Sequence, residues 1–127
     1  MRALVISIVA VVLLICIWFV FFDYSGDLIH SYINEIEDEI IPAIESGEWD
    51  KSYQLMKDLN KEWHKFKKVA ILFLDTETIN EIDYTLAKSV KYVKCKDDSN
   101  STGELNSMIE QLTFLHKNDE MNVGNIL

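Results

Sequence analysis

The sequence predicts an all-α chain, with one N-terminal transmembrane helix followed by an antiparallel bundle of about four helices. Three observations carry this expectation. Ala3 to Phe22 is a run of twenty uncharged residues with Ser7 as its clearly polar side chain. At helical rise it spans roughly 30 Å, the thickness of a bilayer's hydrocarbon core. Downstream, apolar residues recur at threes and fours, the period of a helix buried on one face. One Pro and four Gly in 127 residues are too few punctuators for the turns of an all-β chain. The expected division is therefore 1–26 as anchor and break, and 27–127 as one helical-bundle domain.

The anchor's flanks set its direction. Arg2 and the amino terminus precede it, whereas Asp23 through Asp50 holds nine acidic residues and no Lys or Arg. Positive charge marks the cytoplasmic side, so the N-terminus is expected inside and the domain outside a single-pass cell membrane. That would leave Met1 and Arg2 inside, with no cytoplasmic output of their own. Cleavage as a signal peptide is disfavoured. The apolar run exceeds the ~7–15 residues of a signal core, and Tyr24 stands where a small residue is required before Gly26. Lipoprotein processing is disfavoured as well, because Ile15 precedes Cys16. Trp18, Phe19, Phe21, Phe22 and Tyr24 cluster at the outer end, where aromatics favour the membrane interface.

After a break at Ser25-Gly26, Asp27 is the expected N-cap of the first outer helix. Ile29, Ile33, Ile36, Ile40 and Ile44 form its apolar stripe, widened by Tyr32 and Ala43. Pro42 should kink this helix or end it, and Gly47 is a C-terminal stop. The second helix carries Trp49, Tyr53, Met56, Leu59, Trp63 and Phe66 on one face and is expected to continue through Phe73 to Leu74. Thr78 and Glu81 have capping-box spacing ahead of Ile79, Ile82, Leu86, Val90 and Val93, the third stripe. Residues 97–103 read as the least ordered part of the domain. Ser101 and Glu104 then repeat the capping-box spacing and open a fourth helix with Leu105, Met108, Ile109, Leu112 and Leu115, fraying from His116. Ser46-Gly47-Glu48-Trp49 and Ser101-Thr102-Gly103-Glu104 form a weak internal echo.

The net charge of −9 argues against nucleic acid and against docking on anionic lipid by charge, since both need a basic face. Six lysines between Lys51 and Lys68 suggest that the acidic first helix lies against a basic second one. No metal or cofactor is expected. His30, His64 and His116 are far apart in sequence, no Cys-x-x-Cys or His-Glu-x-x-His occurs, and Glu37-Asp38-Glu39 lacks the pattern of a calcium loop. No nucleophile elbow or phosphate loop is present, so an enzyme is not expected. Cys95, flanked by Lys94 and Lys96, is the one thiol downstream of the anchor and reads as an ordinary helical Cys, its reactivity left open.

Gly47-Glu48-Trp49-Asp50-Lys51, a later Trp63, Phe73-Leu74-Asp75, Ile79 with Ile82-Asp83, Leu86-Ala87 and a terminal Asn125-Ile126-Leu127 resemble domain-of-unknown-function family 4363. The resemblance spans nearly the whole chain. It implies a small membrane-anchored helical protein of Gram-positive spore-formers, often encoded near a multi-spanning membrane protein, without assigned chemistry. Trp49, Trp63, Asp75 and Asp83 match the pattern and are the candidate interaction or structural motif. For Asp75 and Asp83 the competing role is to cap and bridge the turn between the second and third helices. The family pattern often has a His after the first Asp; Thr76 stands there here, so no role resting on that His carries over.

Three function classes follow from these readings. The leading expectation is a non-enzymatic interaction or accessory module held at the outer surface beside another membrane protein. A ligand- or ion-sensing bundle working through such a partner is the alternative. An envelope-acting hydrolase is the remote one, because no carboxylate pair stands out.

Overall fold

The computed structural model describes residues 1–126, with side chains described for 1–117. Four helices account for nearly all of it, and no strand occurs among the described residues. Helix α1 runs Arg2–Glu45, about 66 Å at helical rise. Helices α2 (Trp49–Ala70), α3 (Thr76–Lys94) and α4 (Asp98–Ile126) follow after short turns. The second half of α1 packs on α2 and α4, α2 packs on α3, and α3 packs on α4. The result is an up-and-down four-helix bundle with its core between the apolar stripes.

The break expected at Ser25-Gly26 is absent, and Asp27 caps nothing: α1 passes straight through these residues. The Ser25 hydroxyl donates to the Phe22 carbonyl at 3.1 Å, so its polar atom is satisfied within the helix. Gly26 is buried beneath α4, and a Cβ there would meet His116 Cε1 at 3.1 Å. What looks like punctuation is a close approach between two helices. The packed core accordingly starts at Phe21 rather than at Asp27.

Pro42 neither ends α1 nor leaves it regular. The turn before it, Ile36–Ile40, is wound as a π-helix, and the Ile41 amide donates to the Ile36 carbonyl five residues back. Pro has no amide to donate and its ring clashes with the carbonyl four residues earlier, so a wider turn relieves both problems. Ile36, Ile40, Ala43 and Ile44 all remain buried across it. Gly47 then stops the helix as expected, at φ +76°, with Glu48 donating to Ala43 and Gly47 to Ile44 in a Schellman arrangement.

The other elements differ from expectation chiefly at their ends. Helix α2 stops at Ala70, and Phe73 and Leu74 lie in the following turn. Asp75 caps α3 by accepting from the Thr78 amide at 3.3 Å and the Thr78 hydroxyl at 2.6 Å, so Thr78 is a donor inside the first turn rather than the cap. Helix α3 ends at a second Schellman arrangement, in which Lys96 holds φ +56° where Gly is the usual residue. Asp97 immediately caps α4, accepting from the Asn100 amide and side chain, and these bonds hold its carboxyl below the ordinary range. The stretch read as least ordered is therefore the first turn of α4. Gly103 lies inside that helix, unlike Gly47, so the internal echo has no structural counterpart. The fraying expected from His116 does not end the helix, which extends to Ile126.

The electrostatic pairing also differs. Ion pairs link α2 to α3 through Lys67–Asp83, and α3 to α4 through Lys88–Glu104 at 3.3 Å; no pair joins α1 to α2 among the described residues. At that interface acid faces acid instead. Burial pushes the Glu35 carboxyl above its ordinary range, with Glu39 on its own helix and Asp58 and Glu62 on α2 adding to it.

Candidate functional site

The sequence-predicted residues are spread along the bundle. Trp49 opens α2 at the end far from the apolar half of α1, where it lines a shallow cleft of about 80 Å³ with Tyr53, Val93, Lys94 and Lys96. Trp63 lies fourteen residues further, roughly 21 Å along the helix. Asp75 sits in the turn at the opposite end, beside the apolar half of α1. Trp49, Asp75 and Asp83 thus share no cleft.

Trp63 and Asp83 do come together. Trp63 is completely buried, and its indole N–H donates to Asp83 Oδ1 at 2.5 Å. The ammonium of Lys67 pairs with the other oxygen of the same carboxylate. Lys67 follows Trp63 by four residues, which places both on one face of α2 and lets one α3 side chain answer both. Tyr32 of α1 closes the cluster. Its ring packs edge-on against Trp63 and Phe66, at 6.3 and 6.1 Å between centroids, and its hydroxyl donates to the Glu62 carbonyl at 3.3 Å. Burial pushes that hydroxyl above the ordinary tyrosine range, Glu62 adding to the effect, so it stays a neutral donor. The arrangement joins three helices through one buried aromatic and a satisfied carboxylate. Every group in it has a structural partner, and Asp75 is likewise engaged as a cap.

Lys67 was not singled out in the sequence, though its four-residue spacing from Trp63 was visible. His30 and His116, distant in sequence, approach to 5.1 Å between ring centroids where α4 crosses α1. Among the described residues no three His, Cys, Asp or Glu side chains converge on a point where they could hold a metal. Glu37, Asp38 and Glu39 are all exposed.

Among the described residues, two clefts can be named that reach the lower size range of small-molecule sites. One, about 300 Å³, lies beside the π turn and is lined by Ser31, Asn34, Glu35, Asp38 and Glu39. The other, about 310 Å³, runs between α3 and α4 and is lined by Thr78, Glu81, Ser107, Glu110, Gln111 and Phe114. In the latter, Gln111 Oε1 is buried with no hydrogen-bond partner among the described residues.

A family model for a domain of unknown function, DUF4363, matches residues 20–126. The chain belongs to the DUF4363 family. No curated protein and no solved structure matches it. The match begins one residue before Phe21, where the packed core also begins. The motif residues through which the sequence resembles DUF4363 have legible positions here. Gly47 turns α1 into α2, Trp63 and Asp83 join α2 to α3, and Leu74-Asp75 closes the intervening turn. Trp49 borders the far cleft, half-buried. The Asn125-Ile126-Leu127 end lies outside the residues whose side chains are described.

Proposed function

We propose that this DUF4363 protein is a single-pass membrane protein whose acidic bundle works outside the cytoplasm as a non-enzymatic interaction or accessory module for another membrane protein. One observation carries the membrane part of this reading. An 18-residue stretch of α1 has a mean hydropathy of 3.3, and only 6% of that stretch is buried within the protein. A core helix of that composition would be covered by its neighbours; this one presents Leu4, Ile8, Val11, Ile15 and Val20 outward. Cleavage as a signal sequence fits poorly, because a cut after Phe22 would strip Phe21 from the bundle core. Placement outside rests on the charge flanks, Arg2 before the apolar run and nine acidic residues after it.

The interaction role is supported by what the Trp63–Asp83–Lys67 cluster does. Its polar atoms are spent on joining helices, which favours a rigid body presented at the surface. Affinity capture of the tagged full chain from mild detergent tests this. The expected result is one membrane protein recovered repeatedly and in constant ratio. Recovery of the chain alone across detergents would overturn it.

A second reading, a sensing bundle acting through a membrane partner, is favoured by the α3–α4 cleft. There an unpartnered Gln111 acceptor stands with Glu81 and Glu110 in one lining, so a small cationic donor suits it. Thermal shift of the full chain in detergent against divalent cations and small amines, repeated with Glu81→Gln and Glu110→Gln, distinguishes the two. A shift abolished by these substitutions supports sensing, and a flat screen removes it.

A further inference from the structure

We propose that the turn between α2 and α3 is a second membrane contact, with Ile71, Leu72 and Phe73 seated in the lipid of the same bilayer that holds the anchor. This rests on the anchor reading above. The turn is apolar and uncovered: Val69 is 46% exposed, Ile71 39%, Leu72 76% and Phe73 38%. Four neighbouring exposed apolar residues at one tip form a patch, which a soluble surface rarely carries without an occupant.

The height of this tip identifies the occupant. The uncharged run of α1 ends at Phe22, so the hydrocarbon boundary falls there. The Phe73 ring stacks on the Phe21 ring, with centroids 4.4 Å apart and planes within 28°. The turn therefore lies level with the last turn of the anchor, and its apolar surface is continuous with the Trp18–Phe22 aromatic end. Helix α2 runs antiparallel to α1 and points its C-terminus toward the membrane, so Leu72 projects from the bundle's lower end. The flanking charges, Lys68, Asp75 and Asp23, are of both signs and exposed. Insertion consequently depends on apolar contact with acyl chains and not on anionic headgroups. With two contacts on one rigid bundle, the domain would stand in a fixed orientation instead of swinging on its helix.

The test uses the full chain with Cys16→Ala and Cys95→Ser, reconstituted in zwitterionic phosphatidylcholine vesicles. Single cysteines carrying an environment-sensitive nitrobenzoxadiazole probe are placed by Leu72→Cys, by Ile71→Cys as a second tip position, by Val12→Cys in the anchor, and by Tyr84→Cys. Tyr84 is 72% exposed on α3, away from the tip. Phosphatidylcholine with a nitroxide near the top of its acyl chain should quench the tip probes several-fold more than the Tyr84 position, and one labelled deep in its chain should quench the Val12 position. Tip probes that stay open to aqueous quenchers while the Val12 probe is lipid-quenched would overturn the inference and leave the anchor standing. Tip probes shielded from both water and lipid would overturn it in favour of a protein cover. An unquenched Val12 probe would sink the anchor reading, and this inference with it.

Discussion

Asp83 illustrates how little freedom a motif residue has once its partners are in place. Its two oxygens answer the buried Trp63 indole and the Lys67 ammonium. Asp83→Ala leaves the indole N–H without an acceptor inside the core, so a loss of about 1–3 kcal/mol is expected by chemical unfolding in mild detergent. Asp83→Asn keeps an acceptor for the indole and gives up the charge, and should recover much of that loss. Equal losses for the two variants would show that the indole bond is not what matters. Glu35 works in the other direction. Its carboxyl is pushed up by burial first and by Glu39, Asp58 and Glu62 after that, from an ordinary value of 4.5. A carboxyl raised in the folded state favours folding when protonated and loses that contribution as pH rises through its folded value. Glu35→Gln should therefore stabilise the protein at neutral pH, by no more than about 0.5 kcal/mol because solvent screens the neighbours. The gain should vanish below pH 4.5, which melting curves at pH 4 and 7 would check.

At the scale of elements, the glycines separate local propensity from packing. Gly103 lies in α4 with nothing within 4 Å of an added Cβ, so Gly103→Ala should stabilise by up to about 1 kcal/mol through helix propensity alone. Gly26 also lies in a helix, yet its missing Cβ is where His116 rests, 3.1 Å away. Gly26→Val should cost about 1–3 kcal/mol by forcing α1 and α4 apart. Thermal unfolding of the two variants side by side measures the contrast. The sequence makes these glycines look alike, and Ser25-Gly26 looks like a boundary. The error has a physical source: a glycine that ends a helix and one that admits a neighbouring helix carry the same residue type. The apolar stripes were legible, since Ile29, Ile36, Ile40, Met56, Leu59, Ile79, Ile82, Leu105 and Leu112 are all in the core. Helix ends were less so, because Asp75 and Asp97 compete with nearby Thr78 and Ser101 for the same capping role.

For the whole molecule, the question is how a long apolar helix and an acidic bundle share one chain. They share one helix, α1, which carries the exposed apolar surface in its first half and a quarter of the bundle in its second. Cys95 offers a native reporter of which side the bundle occupies, since it is free and exposed at the end of α3. A membrane-impermeant maleimide applied to intact cells should label Cys95 and leave Cys16, within the apolar run, unlabelled. Labelling of Cys95 only after lysis would place the bundle inside and reverse the charge-flank argument.

The sequence by itself determined the elements: four amphipathic stripes, one uncharged span of membrane length, the Gly47 stop and the motif that marks the family. These are properties of periodicity and composition, which act within a window of a dozen residues. Only the tertiary structure decided that Ser25-Gly26 is a contact and not a break, that Pro42 is absorbed by a π turn, and that α1 meets α2 acid to acid. It also decided that Trp63, Lys67 and Asp83 form one unit, while Trp49 and Asp75 stand at opposite ends. Apart from the π turn, which Pro42 imposes on its own helix, each of these depends on what lies across a helix interface, and local spacing does not name the partner on the other side.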